Sequence, residues 1–185
     1  MKLTKRQIKQ IEKFALDFYK KLDETHGIEH TTRTAKLAEY LAKKEKANLQ
    51  IVRLGALLHQ FHNEKIVERF LRKIKVDEKI MKQLVHCVEC SWSTNIYKAK
   101  TIEAKVVYDA DKLQVIGPFG IIQEIAYDSG PRKIGFREAI KHTQITSERL
   151  YKTLQTKTAK NLAKRPHQFI LKFWRIFDKW DKVKL

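Results

Sequence analysis

The sequence predicts an all-α domain. Apolar residues recur at helical spacing in almost every segment of the 185-residue chain, and no stretch alternates apolar and polar residues as a half-buried strand does. The breaks between the periodic segments are short and carry glycine, proline, asparagine or aspartate, with no repeat, low-complexity tract or Pro/Ser-rich linker between them.

Taken in order, Ile8, Ile11, Ala15, Phe18, Tyr19 and Leu22 fall on one face of a first helix, near residues 4–23. A second helix begins close to His30, with His30, Thr34, Leu37 and Leu41 inward and Ala38 and Tyr40 alongside. The third, residues 49–60, is apolar nearly all round, which marks a buried central helix. Ile66, Val67, Phe70, Leu71 and Ile74 define a fourth, and Ile80, Met81, Leu84, Val85 and Val88 a fifth. Residues 101–116 give a sixth, stopped by Gly117-Pro118-Phe119-Gly120. A short helix near 120–127, a long one near 134–155 and an amphipathic stretch from Thr158 complete the chain, and Pro166 is expected to interrupt that last stretch.

The length suits one domain over residues 1–185, with the motif-bearing part at about 20–125 and C-terminal helices at about 134–182 packed on it. An apolar fraction of 43% is ordinary for a globular chain. No run approaches the roughly 18 apolar residues of a membrane span, and the N-terminal MKLTKRQIKQIEK lacks the apolar segment of a secretory signal. Two cysteines, Cys87 and Cys90, cannot build a disulfide framework, so a cytoplasmic location is expected. Their CVEC spacing lacks the second pair or the βαβ setting that zinc or redox chemistry requires. In FILKFWRIFDKW, Phe169, Ile170, Phe173, Phe177 and Trp180 are expected to pack on the domain and not to lie on a membrane.

The formal charge of +18 and pI near 9.9 fit either polyanionic partners, nucleotides and nucleic acid among them, or lysine-rich solvated helix faces. Charge alone does not choose.

Four polar residues fall where core helices are normally apolar. His30 shares a face with Leu37 and Leu41, His59 closes the buried third helix, and Asp109 and Asp111 sit among Val106, Val107, Ala110 and Leu113. A single buried histidine usually signifies a hydrogen-bonded core residue. Two inward histidines with an inward acidic pair point as readily to a divalent cation, which satisfies imidazoles and carboxylate together.

The blocks HGIEHTTR (26–33), LGALLHQ (54–60) and DADKLQVIG (109–117) together resemble the HD superfamily of metal-dependent phosphohydrolases. TKTAKNLAKRPHQF is similar to the tail of its single-domain bacterial and archaeal members. The resemblance implies an HD-domain helical bundle that hydrolyses a nucleotide or other small phosphate ester. It places the metal ligands on His30, His59 and Asp111. The aspartate of the family's His-Asp doublet falls on Gln60, which offers an amide oxygen but no charge. Two histidines and one aspartate suit Mn, Fe, Co, Ni or Zn better than Mg. Asp109 would either position the attacking water or cap the site, and Arg33 and Lys112 would neutralise phosphate charge. His26 and His62 flank the ligand positions as supporting residues. The amides at Gln60 and Gln114 and the basic character keep a second expectation open, an inactive HD-fold module that binds a nucleotide or nucleic acid.

Overall fold

A computed structural model describes residues 2–61 and 63–183. Nine α-helices account for the described residues, with two 3-10 turns and no strand among them. The chain divides into two compact units, Met1–Asp111 and Lys112–Leu185.

In the first unit, α1 (Lys5–Tyr19) starts at a capping box in which Thr4 and Gln7 satisfy each other's backbone amides. Ile11, Ala15 and Tyr19 are its buried residues. The helix stops at Tyr19, short of the expected residue 23. The next amides bond back in a tightened turn, and the Asp23 carboxylate collects the Thr25 and His26 amides. α2 (Ile28–Glu45) buries His30, Thr31, Thr34, Ala35, Ala38, Leu41 and Ala42, so Thr31 and Ala35 lie inward while Tyr40 is exposed.

α3 (Leu49–Leu58) begins at Asn48, whose side chain accepts from the Gln50 and Ile51 amides. It packs against α1, α2 and α5 (Glu78–Glu89), and its all-round apolar sequence follows from that central position. Gly55 allows the closest approach. A Cβ there would lie 2.9 Å from the Cys87 Cβ and 3.2 Å from the Val107 Cγ2. α3 runs into a 3-10 turn, His59–Phe61, where Phe61 stacks on Phe14 at 4.7 Å and on Phe18 at 4.2 Å. α4 (Glu64–Lys73) contributes Val67 and Leu71 to the core. α6 (Ile102–Val115) is buried at every position from Val106 to Asp111, which explains its apolar sequence and places both aspartates among buried residues.

In the second unit, α7 (Pro118–Ser129) opens at Gly117, whose φ of 144° excludes other residues, with Pro118 at the first helical position. Gly120 is equally constrained, since a Cβ would fall 2.1 Å from the Val115 carbonyl oxygen. α8 (Phe136–Thr153) packs on α7 and on α9 (Lys157–Asp181). The fully buried Asp128 carboxylate accepts from Arg132 at 2.9 Å and from His142 Nδ1 at 2.6 Å.

Two expectations for α9 are overturned. Pro166 does not interrupt the helix, which runs unbroken across it. Ala159 and Ala163 before it, and Ile170 and Trp174 after it, are all buried, so packing on both sides offsets the roughly 3 kcal/mol an interior proline costs. Not all the tail aromatics pack inward either. Ile170 is buried and Phe173 and Phe177 are half-buried, but Phe169 and Trp180 are exposed. At about 100° per residue the last two stand roughly 80–100° round the helix from Ile170.

Candidate metal centre

His30 owes its place to the start of α2. The carbonyl of Gly27, the N-cap, accepts from both the Thr31 amide (3.2 Å) and the Thr31 hydroxyl (3.1 Å), fixing the first turn. Thr34 donates to the His30 carbonyl at 2.9 Å. His59 sits where α3 tightens into the 3-10 turn. Its Nδ1 lies 2.6 Å from the Ala56 carbonyl oxygen, so Nδ1 carries the proton and Nε2 keeps its lone pair. The His59 carbonyl accepts from the Ser91 hydroxyl at 3.0 Å, and Phe61 stacks between Phe14 and Phe18 just beyond. Asp111 is carried by the buried face of α6.

These three side chains converge. His30 Nε2 is 3.4 Å from His59 Nε2 and 3.2 Å from Asp111 Oδ1, and His59 Nε2 is 3.5 Å from the same oxygen. The His30, His59 and Asp111 side chains are all buried. Burial holds the His30 imidazole below its ordinary pKa, against the opposing pull of the Asp111 carboxylate. The imidazole is thereby kept in its neutral, ligating form.

The triangle fits a cation. Ligand atoms about 2.0–2.1 Å from one tetrahedral centre are separated by about 3.4 Å, close to the three edges observed. The donor set of two imidazole nitrogens and one carboxylate oxygen is that of a transition-metal site.

The other residues singled out in the sequence fall at various distances from it. Among the described residues, those whose His, Cys, Asp or Glu ligand atoms gather within 4.8 Å here are His30, His59 and Asp111. Asp109 is fully buried on α6 but outside that group. Gln60 is buried, one residue after His59 in the 3-10 turn. His26 packs its ring 5.8 Å from that of His30 and lies 3.5 Å from Asp23. Arg33 stands one turn after His30, 3.7 Å from Glu29. Lys112, at half-exposure, follows Asp111 directly and opens the second unit. His62 lies outside the described residues.

His86 lies outside the centre. Its Nε2 accepts from the Lys100 amide at 3.1 Å, and its Nδ1 faces Glu89 at 3.3 Å. Cys87 and Cys90 are both buried, and burial raises both thiols, Cys90 to about 11, so neither is a thiolate near neutrality. Two contributors escaped the sequence reading: Ser91, which holds the His59 carbonyl, and Tyr19, whose hydroxyl lies beside the Gln60 backbone. Tyr19 read simply as one more apolar position of α1.

A sequence model of the HD domain matches residues 27–116, a span that includes His30, His59 and Asp111. Bacillus subtilis YpgQ is 30% identical over 172 residues, covering 83% of each chain. The chain belongs to the HD-domain family. Among solved structures, YpgQ in complex with ADP superposes with a TM-score of 0.77 at 28% identity, covering 94% of both chains. An HD-superfamily hydrolase from Bacillus thuringiensis superposes with a TM-score of 0.73 at 26% identity, covering 95% of this chain and 97% of that one. The all-α fold is thus that of the HD domain. No helix among the described residues is long and apolar enough to cross a membrane.

Proposed function

We propose that this protein is a metal-dependent phosphohydrolase of nucleotides or related small phosphate esters. The observation that carries the proposal is the buried triangle of His30, His59 and Asp111, with edges of 3.2–3.5 Å. Nucleotides are favoured because the similar YpgQ was solved with ADP.

A divalent transition metal held by these residues supplies Lewis-acid polarisation of a phosphate oxygen and activation of water for in-line attack. The chain's own residues supply the rest. His59 presents Nε2 because Ala56 fixes the proton on Nδ1, and His30 presents Nε2 in its neutral form because it is buried. Asp111 contributes the negative charge that holds the cation against proton competition. Arg33 and Lys112 meet the negative charge of the phosphate. Asp109 either orients the water or closes the site behind Asp111. His26, whose ring packs beside that of His30, supports that ligand.

Gln60 stands where the family doublet has its aspartate. An amide there donates only a neutral oxygen, so metal is held more weakly than by four charged or imidazole ligands. That same residue favours a second reading, a nucleotide-binding HD module that does not turn over its ligand.

The deciding experiment assays a nucleotide panel with Mn, Ni or Co, on wild type and His59→Ala. Protein purified without added metal is expected to contain near-stoichiometric transition metal, and turnover is expected to vanish in the variant. Hydrolysis that survives loss of His59 rejects the mechanism. Binding of ADP without hydrolysis under any of these metals selects the second reading.

A further inference from the structure

Tyr19 is the last residue of α1 and is 1% exposed. The residues that precede it on the buried face, Ile11 and Ala15, are apolar, and packing alone would be served as well by phenylalanine. The hydroxyl therefore needs a reason of its own. It lies beside Thr31, the neighbour of His30, and beside the backbone of Gln60, the neighbour of His59, within the field of the Asp111 carboxylate. Thr31 already donates its own hydrogen to the Gly27 carbonyl. The Tyr19 hydroxyl makes no hydrogen bond of good geometry with any described residue. Burial also keeps the phenol protonated, so it remains a donor at any ordinary pH. A buried donor without an acceptor is destabilising and rare in folded proteins. This one lies beside the chain neighbours of His30 and His59 and within the field of Asp111.

We propose that Tyr19 is a positioning residue whose hydroxyl donates a hydrogen bond to an oxygen of the ligand that fills the His30–His59–Asp111 centre. The proposal rests on the reading of those residues as a metal centre, and it adds that the first helix takes part in ligand binding. The acceptor is a lone-pair oxygen, supplied either by solvent in the metal-loaded protein or by phosphate. Tyr19 does not exchange its proton. It orients the oxygen, and its own unsatisfied state is relieved when the oxygen arrives.

Tyr19→Phe deletes one oxygen atom and leaves the packing intact. Thermal denaturation of wild type and variant is measured metal-free, with MnCl2, and with MnCl2 plus inorganic phosphate, and phosphate affinity is titrated in the last condition. The metal-free variant is expected to melt about 2–4 °C above wild type, since an unsatisfied buried hydroxyl has been removed. The order is expected to close or reverse on ligand addition, with phosphate bound roughly 5- to 10-fold more weakly by the variant. A deficit already present with MnCl2 alone identifies a solvent oxygen as the acceptor. A deficit confined to the phosphate arm identifies phosphate. Equal ligand-induced shifts in the two proteins, or a metal-free variant that melts below wild type, overturn the role of Tyr19 and leave the centre standing. A wild type that does not respond to MnCl2 overturns both.

Discussion

Gly55→Ala sets two physical effects in opposition. Gly55 lies inside α3, one turn before His59, and helix propensity alone favours alanine there by about 1 kcal/mol. Packing says the opposite. The added methyl would stand 2.9 Å from the Cys87 Cβ, 3.1 Å from the Cys87 Sγ and 3.2 Å from the Val107 Cγ2, whereas carbon atoms rest at about 3.5–4.0 Å. One of these neighbours is a Cβ, which no rotamer can withdraw, and Val107 is a β-branched residue on a helix, held to one strongly preferred χ1. The helices themselves must separate by several tenths of an ångström. Overpacking of this kind costs roughly 1–3 kcal/mol, and three simultaneous contacts place it in the upper half of that range. After the propensity gain is subtracted, the net destabilisation is about 1–2 kcal/mol. For a chain of this size the melting temperature falls by about 2–8 °C. Displacement of α3 also carries His59 away from His30 and Asp111, so stabilisation by added Mn is expected to shrink in the same variant. Thermal denaturation with and without Mn measures both effects. A rise in melting temperature would show that propensity dominates and that the α3–α5 contact is not close-packed as described.

The remaining predictions concern the centre. Gln60→Asp restores a charged ligand beside His59 and is expected to tighten Mn by at least about tenfold, the scale of a charge-assisted bond, with turnover rising in parallel. Unchanged Mn affinity in a calorimetric titration would remove Gln60 from the ligand set. In metal-free protein, the His30 pKa is held below its ordinary 6.5 by burial. The unfolded chain therefore takes up a proton at His30 before the folded chain does. Its contribution leaves stability unaffected above pH 6.5 and erodes stability as pH falls below that value. The metal-free melting temperature is expected to drop between about pH 7 and pH 5, and His30→Gln is expected to flatten that drop. An identical pH profile in the variant would contradict the assignment.

Helical periodicity determined most of what the sequence could reveal. The nine helices among the described residues lie where Ile, Leu, Val and Phe recur at helical spacing, because burying one face of each helix is the dominant local requirement. His30, His59 and the Asp109–Asp111 pair were also legible, since polar groups on apolar faces violate that pattern and call for a partner, while the choice of Asp111 within the pair came with the resemblance to the HD superfamily. The sequence could not assign the outcome of competing terms. Whether Pro166 breaks α9 depends on the burial of Ala163 and Ile170 on either side of it, and which tail aromatics turn inward depends on the neighbours that α9 meets. Tyr19 and Ser91 belong to the surroundings of the centre only because chain segments distant in sequence bring their hydroxyls to the backbones of Gln60 and His59. Periodicity reports which face of a helix is apolar. The distance between a hydroxyl on one helix and a carbonyl on another is a property of the packed molecule, and there the tertiary structure alone decides.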